Sequence, residues 1–386
     1  MSKKRIMIVL GTRPEAIKLA PVVLALKDSE WATPIVCNTG QHREMSAQVL
    51  SLFGIEPDVD LDIMHSDQTL SSVTTAILTR MEAPLTQHCP DWVIVQGDTT
   101  TTFAAALSAY YKRTPVAHIE AGLRTGNIYA PWPEEMNRRL VSEIAVLHFP
   151  PTQSAYDNLI REGVLADRIT VTGNTGIDAL KTLARRLVED GVLREKAERL
   201  LVDAGVPMDP RPLVLITGHR RENFGKGFES ICSAIATLAQ RYPEHAFVYP
   251  VHPNPRVRET VLQALGGAAL GNVYMVPPLD YLPFVQLLSR ATLILTDSGG
   301  VQEEAPSLGK RVVVLREVTE RSEGVGTGVV RLAGVDADKI IQFATEALDG
   351  VWPSPADGCD LYGDGAAAFR ILDALRESSS QEVAQG

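Results

Sequence analysis

Short, uninterrupted runs of apolar and mostly β-branched residues recur along the chain and constrain its fold more than any other feature. They are Arg5–Leu10, Pro34–Cys37, Trp92–Val95, Val116–Ile119, Leu213–Ile216, Phe247–Val251, Leu293–Thr296 and Val312–Leu315. A strand with one solvated face alternates apolar and polar residues, whereas these runs do not alternate, so both faces of each strand must be covered. Longer stretches of helical periodicity separate them, and that succession predicts an α/β class with parallel sheets under helices. Ligands of such sheets bind beyond the carboxyl ends of the strands, so residues directly after each run are the first to read for chemistry.

The 386 residues are enough for two domains of ordinary size. The seam is placed between Gly173 and Pro212. A strand-like run, Ile169–Val171, comes before it, and the charged segment Asp178–Asp203 reads as helical within it, ending in the turn-like Pro207–Pro212. The resulting division is 1–173 with a closing helix over 365–378, against 174–364. That helix reads from Ala366 to Leu375, with a polar, frayed Glu377–Gly386 behind it.

With 37 basic against 47 acidic residues and a net charge of −10, the chain lacks the electrostatic footprint of a nucleic-acid or anionic-membrane binder. Cys37, Cys89, Cys232 and Cys359 form no C-x-x-C pair, which argues against a disulfide framework or zinc site. The basic start Ser2–Arg5 is followed by an apolar run too short for a signal peptide, and no run is long enough to span a membrane. The expectation is a cytoplasmic protein without membrane insertion.

The first strand ends in Gly11-Thr12-Arg13-Pro14-Glu15-Ala16-Ile17-Lys18, neither a dinucleotide fingerprint nor a P-loop. Arg13 and Lys18 can hold an anion at the helix N-terminus, unless Lys18 pairs with Glu15 on a solvated face. Asp98 and Glu120 follow two further strands, although Asp98 can equally cap the next helix. Pro131 and Pro133 start a helix with Glu134 and Glu135 in its first turn, and helical geometry lets only one of them face a given site. In the second half His219 follows a strand amid Gly218, Arg220 and Arg221, with His252 a weaker candidate that can serve only its loop. The strongest local pattern is Leu293 to Ala305. A buried strand leads through Asp297-Ser298-Gly299-Gly300 into a helix whose free N–H groups suit a diphosphate, with Glu303 or Glu304 placed for ribose hydroxyls and Arg321 for a further phosphate contact. No metal-ligand spacing occurs, so basic groups must neutralise the phosphates.

The motifs Gly11–Lys18, Gln41–Met45, Gly97–Thr102, His118–Thr125, Pro131–Glu135, Thr217–Glu222 and Thr296–Gly300 together resemble those of the non-hydrolysing bacterial UDP-N-acetylglucosamine 2-epimerases, in order along nearly the whole chain. The resemblance implies two Rossmann-like domains of the glycosyltransferase-B type with the active site in the interdomain cleft. It also implies a homodimer that takes a UDP-sugar and no cofactor. Asp98, Glu120, Glu134 and His219 match the family's catalytic positions. Arg13, Lys18, Phe284, Ser298, Gly299, Gly300, Glu304 and Arg321 match its UDP-contacting positions. Gln41, His42 and Glu44 match part of a regulatory substrate pocket. Leu279 departs from the pattern, standing where a relative has Gln.

Overall fold

The computed structural model describes residues 3–41, 43–65, 68–266, 270–319, 321–353 and 359–385. His42, one of the residues matched to a regulatory pocket, lies outside them. The chain divides into two compact units, Met1–Ala179 with Tyr362–Gly386, and Leu180–Leu361.

In the first unit the order is β1 (Lys4–Leu10), α1 (Arg13–Lys27), β2 (Ala32–Asn38), α2 (Arg43–Leu52), β3 (Val59–Asp60), α3 (Leu70–His88) and β4 (Trp92–Gln96). It continues through α4 (Thr100–Tyr111), β5 (Val116–Ile119), α5 (Glu134–Ile144), β6 (Leu147–Phe149) and α6 (Gln153–Arg161) to α7 (Thr175–Glu189), which runs from the first unit into the second. The strands form one parallel sheet in the order β3-β2-β1-β4-β5-β6. Met7, Val9, Val93 and Val95 point into a buried cluster with Ala104, Ala105, Ala106 and Ala109 of α4. Four alanines on that helix allow it to lie close against the strands.

The second unit opens with α8 (Gly191–Asp203), β7 (Leu213–Thr217), α9 (Lys226–Arg241), β8 (Ala246–Pro250), α10 (Pro255–Leu265) and β9 (Val273–Val276). It is completed by α11 (Tyr281–Arg290), β10 (Ala291–Thr296), α12 (Gly299–Ser307), β11 (Arg311–Val314), α13 (Ser322–Gly326), β12 (Val330–Leu332) and α14 (Ala337–Leu348). Its sheet, also parallel, runs β12-β11-β10-β7-β8-β9. Counted from its own first strand this is the same 3-2-1-4-5-6 order, read from the other edge. The final helix α15 (Ala367–Gln385) returns to the first unit and packs on α1.

All eight predicted strands form. Three other expectations need correction. Ile169–Val171 is not a strand, because only Ile169 makes an isolated bridge, to His148. The segment Asp178–Asp203 is two helices, broken where Asp190 caps α8 by accepting from the N–H groups of Val192 and Leu193 at 3.0 and 3.1 Å. The polar tail is helical to Gln385, pinned where Trp92 Nε1 donates to the buried Ser379 Oγ at 3.1 Å.

Candidate active site

In the first sheet β1 and β4 are neighbours, and the chain winds outward from them in opposite directions, which makes their carboxyl ends a topological switch point. Gly11 closes β1 there because nothing larger fits. A Cβ at that position would lie 2.1 Å from Thr39 Oγ1 and 2.6 Å from Thr101 Oγ1. The ends of β1, β2 and β4 therefore converge on one spot, and Gln41 sits beside it, its Oε1 accepting from Thr101 Oγ1 at 2.8 Å. Glu44 is exposed in the first turn of α2.

Arg13 is the first residue of α1 and half-buried. Lys18, one turn on, does not pair with Glu15. Its ammonium donates to both oxygens of Glu120 at 2.7 and 2.6 Å, while the buried Gln96 amide donates to Glu120 Oε2. Glu120 itself holds a left-handed backbone, φ 63°, which costs a non-glycine residue about 1–2 kcal/mol. Strain of this kind persists only where its surroundings over-determine it. Here the Glu120 N–H is bonded to Phe149 O at 3.0 Å, and its carboxylate to Lys18 and Gln96. Glu15 is instead buried, with Gly11, Thr12, Thr99 and Thr102 around it; burial pushes its carboxyl above the usual range against the pull of those hydrogen bonds. The Thr12-x-x-Glu15 capping signature was the signal for this role.

Asp98 is not the helix cap. Thr99 caps α4, accepting from Thr102 N at 3.1 Å, and Asp98 takes the Arg138 guanidinium of α5 in an ion pair. The Asp98 carbonyl also accepts from Asn137 Nδ2 at 2.9 Å, so α5 is fastened to the loop after β4. At the start of that helix the two glutamates part. Glu135 is fully buried and engaged with Arg138, Arg139 and the N–H groups of Thr125 and Gly126. Glu134 is half-buried, and its carboxylate makes no hydrogen bond or ion pair among the described residues. Beneath the acidic groups lies His118, whose Nε2 donates to Gly97 O at 2.8 Å; burial holds its pKa down to about 3, so it stands neutral.

In the second sheet β7 and β10 occupy the corresponding switch point. Asp297, passed over as a functional candidate in the sequence, is its organising residue. It is fully buried and accepts from His219 N at 2.9 Å, Arg220 N at 2.8 Å and Asn223 Nδ2 at 3.1 Å, binding the loop after β7 to the end of β10. A charged residue directly behind a buried strand was the available signal. The His219 ring lies with Nδ1 3.6 Å from Asp297 Oδ1 and stacks on His252, centroids 5.3 Å apart at 18°. Burial lowers the His219 pKa; the Asp297 charge opposes this, while His252 and Arg220 add to it. His252 also serves its own loop, its Nδ1 accepting from Asn254 N at 3.1 Å.

Ser298 is the N-cap of α12, and Gly299 and Gly300 are its first helical residues, leaving backbone donors at the start of that helix. Arg321 lies flat against Gly299, where a Cβ would come within 2.9 Å of the guanidinium carbon, and its Nε donates to Glu303 at 2.8 Å. Glu304 is half-buried on the same helix. Phe284 stands apart from this group in sequence, half-buried in the first turn of α11. Among the described residues, no group of three or more His, Cys, Asp and Glu side chains is arranged to hold a metal ion.

Two doubly wound parallel-sheet units in one chain, each with polar groups at its switch point, define an α/β protein of the double-Rossmann, glycosyltransferase-B class. Comparison with known proteins narrows the class. A sequence profile of the UDP-N-acetylglucosamine 2-epimerase family matches residues 24–376. The UDP-N-acetylglucosamine 2-epimerase of Escherichia coli K12 is 49% identical over 378 residues, covering 97% of this chain and 99% of that one. A crystal structure of the Neisseria meningitidis UDP-GlcNAc 2-epimerase bound to UDP-GlcNAc superposes with a TM-score of 0.85 at 46% identity, covering 97% of this chain and 100% of its own. The Methanocaldococcus jannaschii enzyme in complex with UDP-GlcNAc and UDP gives 0.77 at 32% identity, covering 97% and 99%. The chain belongs to the UDP-N-acetylglucosamine 2-epimerase family.

Proposed function

We propose that this chain interconverts UDP-N-acetylglucosamine and UDP-N-acetylmannosamine without releasing free sugar, for cell-surface polysaccharide synthesis. The C2 hydrogen of the sugar is not next to a carbonyl, so its direct removal would leave an unstabilised carbanion. Breaking the anomeric C–O bond avoids this: UDP leaves by elimination to 2-acetamidoglucal, C2 is reprotonated on the other face, and UDP adds back. Asp98, Glu120 and Glu134 move the protons, work that needs carboxyls within reach of both faces of C2. Ser298, Gly299, Gly300, Glu304, Arg321 and Phe284 hold the UDP. Arg13 and Lys18, as fixed positive groups, and His219, by a hydrogen bond from its ring, stabilise the charge that develops on departing UDP.

The observation that carries this reading is the acidic set at the carboxyl edge of the first sheet: Glu120 fixed in a strained backbone, Asp98 anchored to α5, and Glu134 without a partner among the described residues. A protein that only binds a nucleotide sugar has no use for it. Incubation with UDP-N-acetylglucosamine in deuterated water, followed by NMR, tests the reading. UDP-linked epimers with deuterium at C2 are expected, and Asp98→Asn should suppress the exchange while UDP still binds. Free N-acetylmannosamine would mean hydrolysis, and an unlabelled, unchanged nucleotide sugar would refute the reading. The same proposal makes the working enzyme a cytoplasmic homodimer, sedimenting at twice the chain mass of 41.9 kDa. No described helix is long and apolar enough to cross a membrane. A regulatory role for Gln41, His42 and Glu44 predicts that UDP-N-acetylmannosamine alone turns over only after a lag, which a trace of the other epimer removes.

A further inference from the structure

Glu15 is a buried carboxylate that the proposed chemistry does not use. An acidic residue in the first turn of a helix ordinarily stays in solvent, where the helix dipole favours it and no desolvation is incurred. Glu15 is 2% exposed, and both of its oxygens are occupied. Oε2 accepts from Gly11 N and Thr12 N, each at 2.8 Å, and from Thr12 Oγ1 at 3.0 Å. Oε1 accepts from Thr99 Oγ1 at 2.5 Å, and it shares the single Thr102 hydroxyl proton with Gln96 O, the Thr102 oxygen lying 3.1 Å from Oε1.

The two ends serve different loops. Gly11 and Thr12 follow β1 and lead directly into Arg13 and, one turn later, Lys18. Thr99 and Thr102, the N-cap and a first-turn residue of α4, come directly after Asp98 behind β4. The second end is also tied onward: Thr102 Oγ1 lies 2.7 Å from Gln96 O, and the Gln96 side chain holds Glu120. We infer that Glu15 is a positioning residue that locks the loop after β1 to the loop after β4, and so sets the spacing of Arg13 and Lys18 against Asp98. Which of those loop residues act in catalysis rests on the proposed function; the lock itself does not.

The chemistry of the two ends makes the inference specific. Backbone N–H groups can only donate, so an acceptor must face Gly11 and Thr12. Threonine hydroxyls can turn and accept. A glutamine at position 15 therefore satisfies both ends, with its carbonyl toward the N–H groups and its NH₂ toward the hydroxyls. An aspartate keeps the charge but, one methylene shorter, reaches only one loop. A lock ranks Glu15→Gln above Glu15→Asp, and a purely electrostatic role ranks them the other way.

The experiment compares the full-length chain with Glu15→Gln, Glu15→Asp, Thr102→Val, Thr99→Val/Thr102→Val and Thr99→Ser/Thr102→Ser. Thr102→Val is included because it leaves the Thr99 cap of α4 in place. Steady-state conversion, UDP affinity and amide hydrogen exchange at Gly11 and Thr12 are measured on each. A misplacement of about 1 Å at a reacting centre costs up to about 100-fold. Glu15→Asp and the double valine variant are therefore expected to lose about 30-fold in kcat, with KM and UDP affinity within about twofold. Glu15→Gln should lose about threefold and the double serine variant less than the double valine one. The valine variants should also speed exchange at Gly11 and Thr12, on the opposite loop, by about tenfold. Unchanged exchange there, or Glu15→Asp outperforming Glu15→Gln, overturns the inference. A wild-type chain that converts no substrate would overturn the proposed function instead, and the exchange measurement would still decide the lock.

Discussion

Replacing Gly299 by alanine is the sharpest probe of the anion site proposed for the second unit. Gly299 has no positive φ and lies at the first helical position of α12, so its backbone tolerates a side chain. In an exposed helix the change would stabilise by about 0.5–1 kcal/mol. What it meets is Arg321: the new Cβ would lie 2.9 Å from the guanidinium carbon and 3.1 and 3.2 Å from its two terminal nitrogens. Carbon atoms pack at about 3.5–4.0 Å, so the guanidinium must move by about 0.6–1.1 Å. Its bond to Glu303, 2.8 Å long, limits that movement, and a shift of this size takes the group out of line for a phosphate oxygen. A charge-assisted hydrogen bond is worth about 1.5–3 kcal/mol, so UDP affinity should fall about 10- to 150-fold. Thermal stability should change by less than about 1 kcal/mol, because a flexible side-chain end, not backbone, absorbs the contact. Gly300→Ala is the control: among the described residues no atom beyond its chain neighbours and its own helix backbone lies within 4 Å of its Cβ position, so a loss there comes from the ligand. Calorimetric titration with UDP and a melting curve decide the matter. Unaltered UDP affinity in Gly299→Ala would remove Arg321 and this glycine turn from the binding site.

Three further outcomes are expected. Ser379→Ala leaves the Trp92 indole N–H buried without its acceptor and should cost about 1–3 kcal/mol of stability, read as a lower melting temperature. Gly122→Ala should cost more than about 3 kcal/mol, because φ is +85° and the new Cβ would lie 2.2 Å from the Ala155 carbonyl oxygen; Gly126→Ala, at φ +81° in open space, should cost only about 1–2 kcal/mol. Acid should weaken the first unit: His118 and His148 have their pKa values pushed by burial from 6.5 down to about 3 and about 4. Below pH 6.5 the unfolded chain binds protons that the folded one refuses, so stability falls with pH, by about 2 kcal/mol per histidine at pH 5. Glu15 and Asp178, whose carboxyls burial raises, work the other way, gaining stability as pH falls. Urea unfolding of wild type and His118→Gln at pH 7 and pH 5 measures the balance. The acid-induced loss should shrink by about 2 kcal/mol in the variant.

What was legible in the sequence follows from how far each interaction reaches along the chain. The central strands declare themselves because a strand covered on both faces must be apolar throughout. The edge strands β3, β6, β9 and β12 have two to four residues each, and pairing with a neighbour, not their own composition, defines them. The candidate residues at strand ends were legible for a related reason, since parallel sheets present their chemistry at one edge. Their partners were not. Lys18 lies next to Glu15 by helical spacing, yet its charge goes to Glu120, 102 residues away, because Glu15 had already been drawn inward by donors from two loops. Ser379 reads as part of a frayed polar tail until Trp92, 287 residues earlier, supplies a buried N–H that needs an acceptor. The Thr12-x-x-Glu15 pattern and the Asp190-Gly191 pair announce a capping box and a helix break in their own residues, and a closer reading finds them. No window of sequence, however well read, contains the obligation of one buried donor to find an acceptor at the other end of the chain.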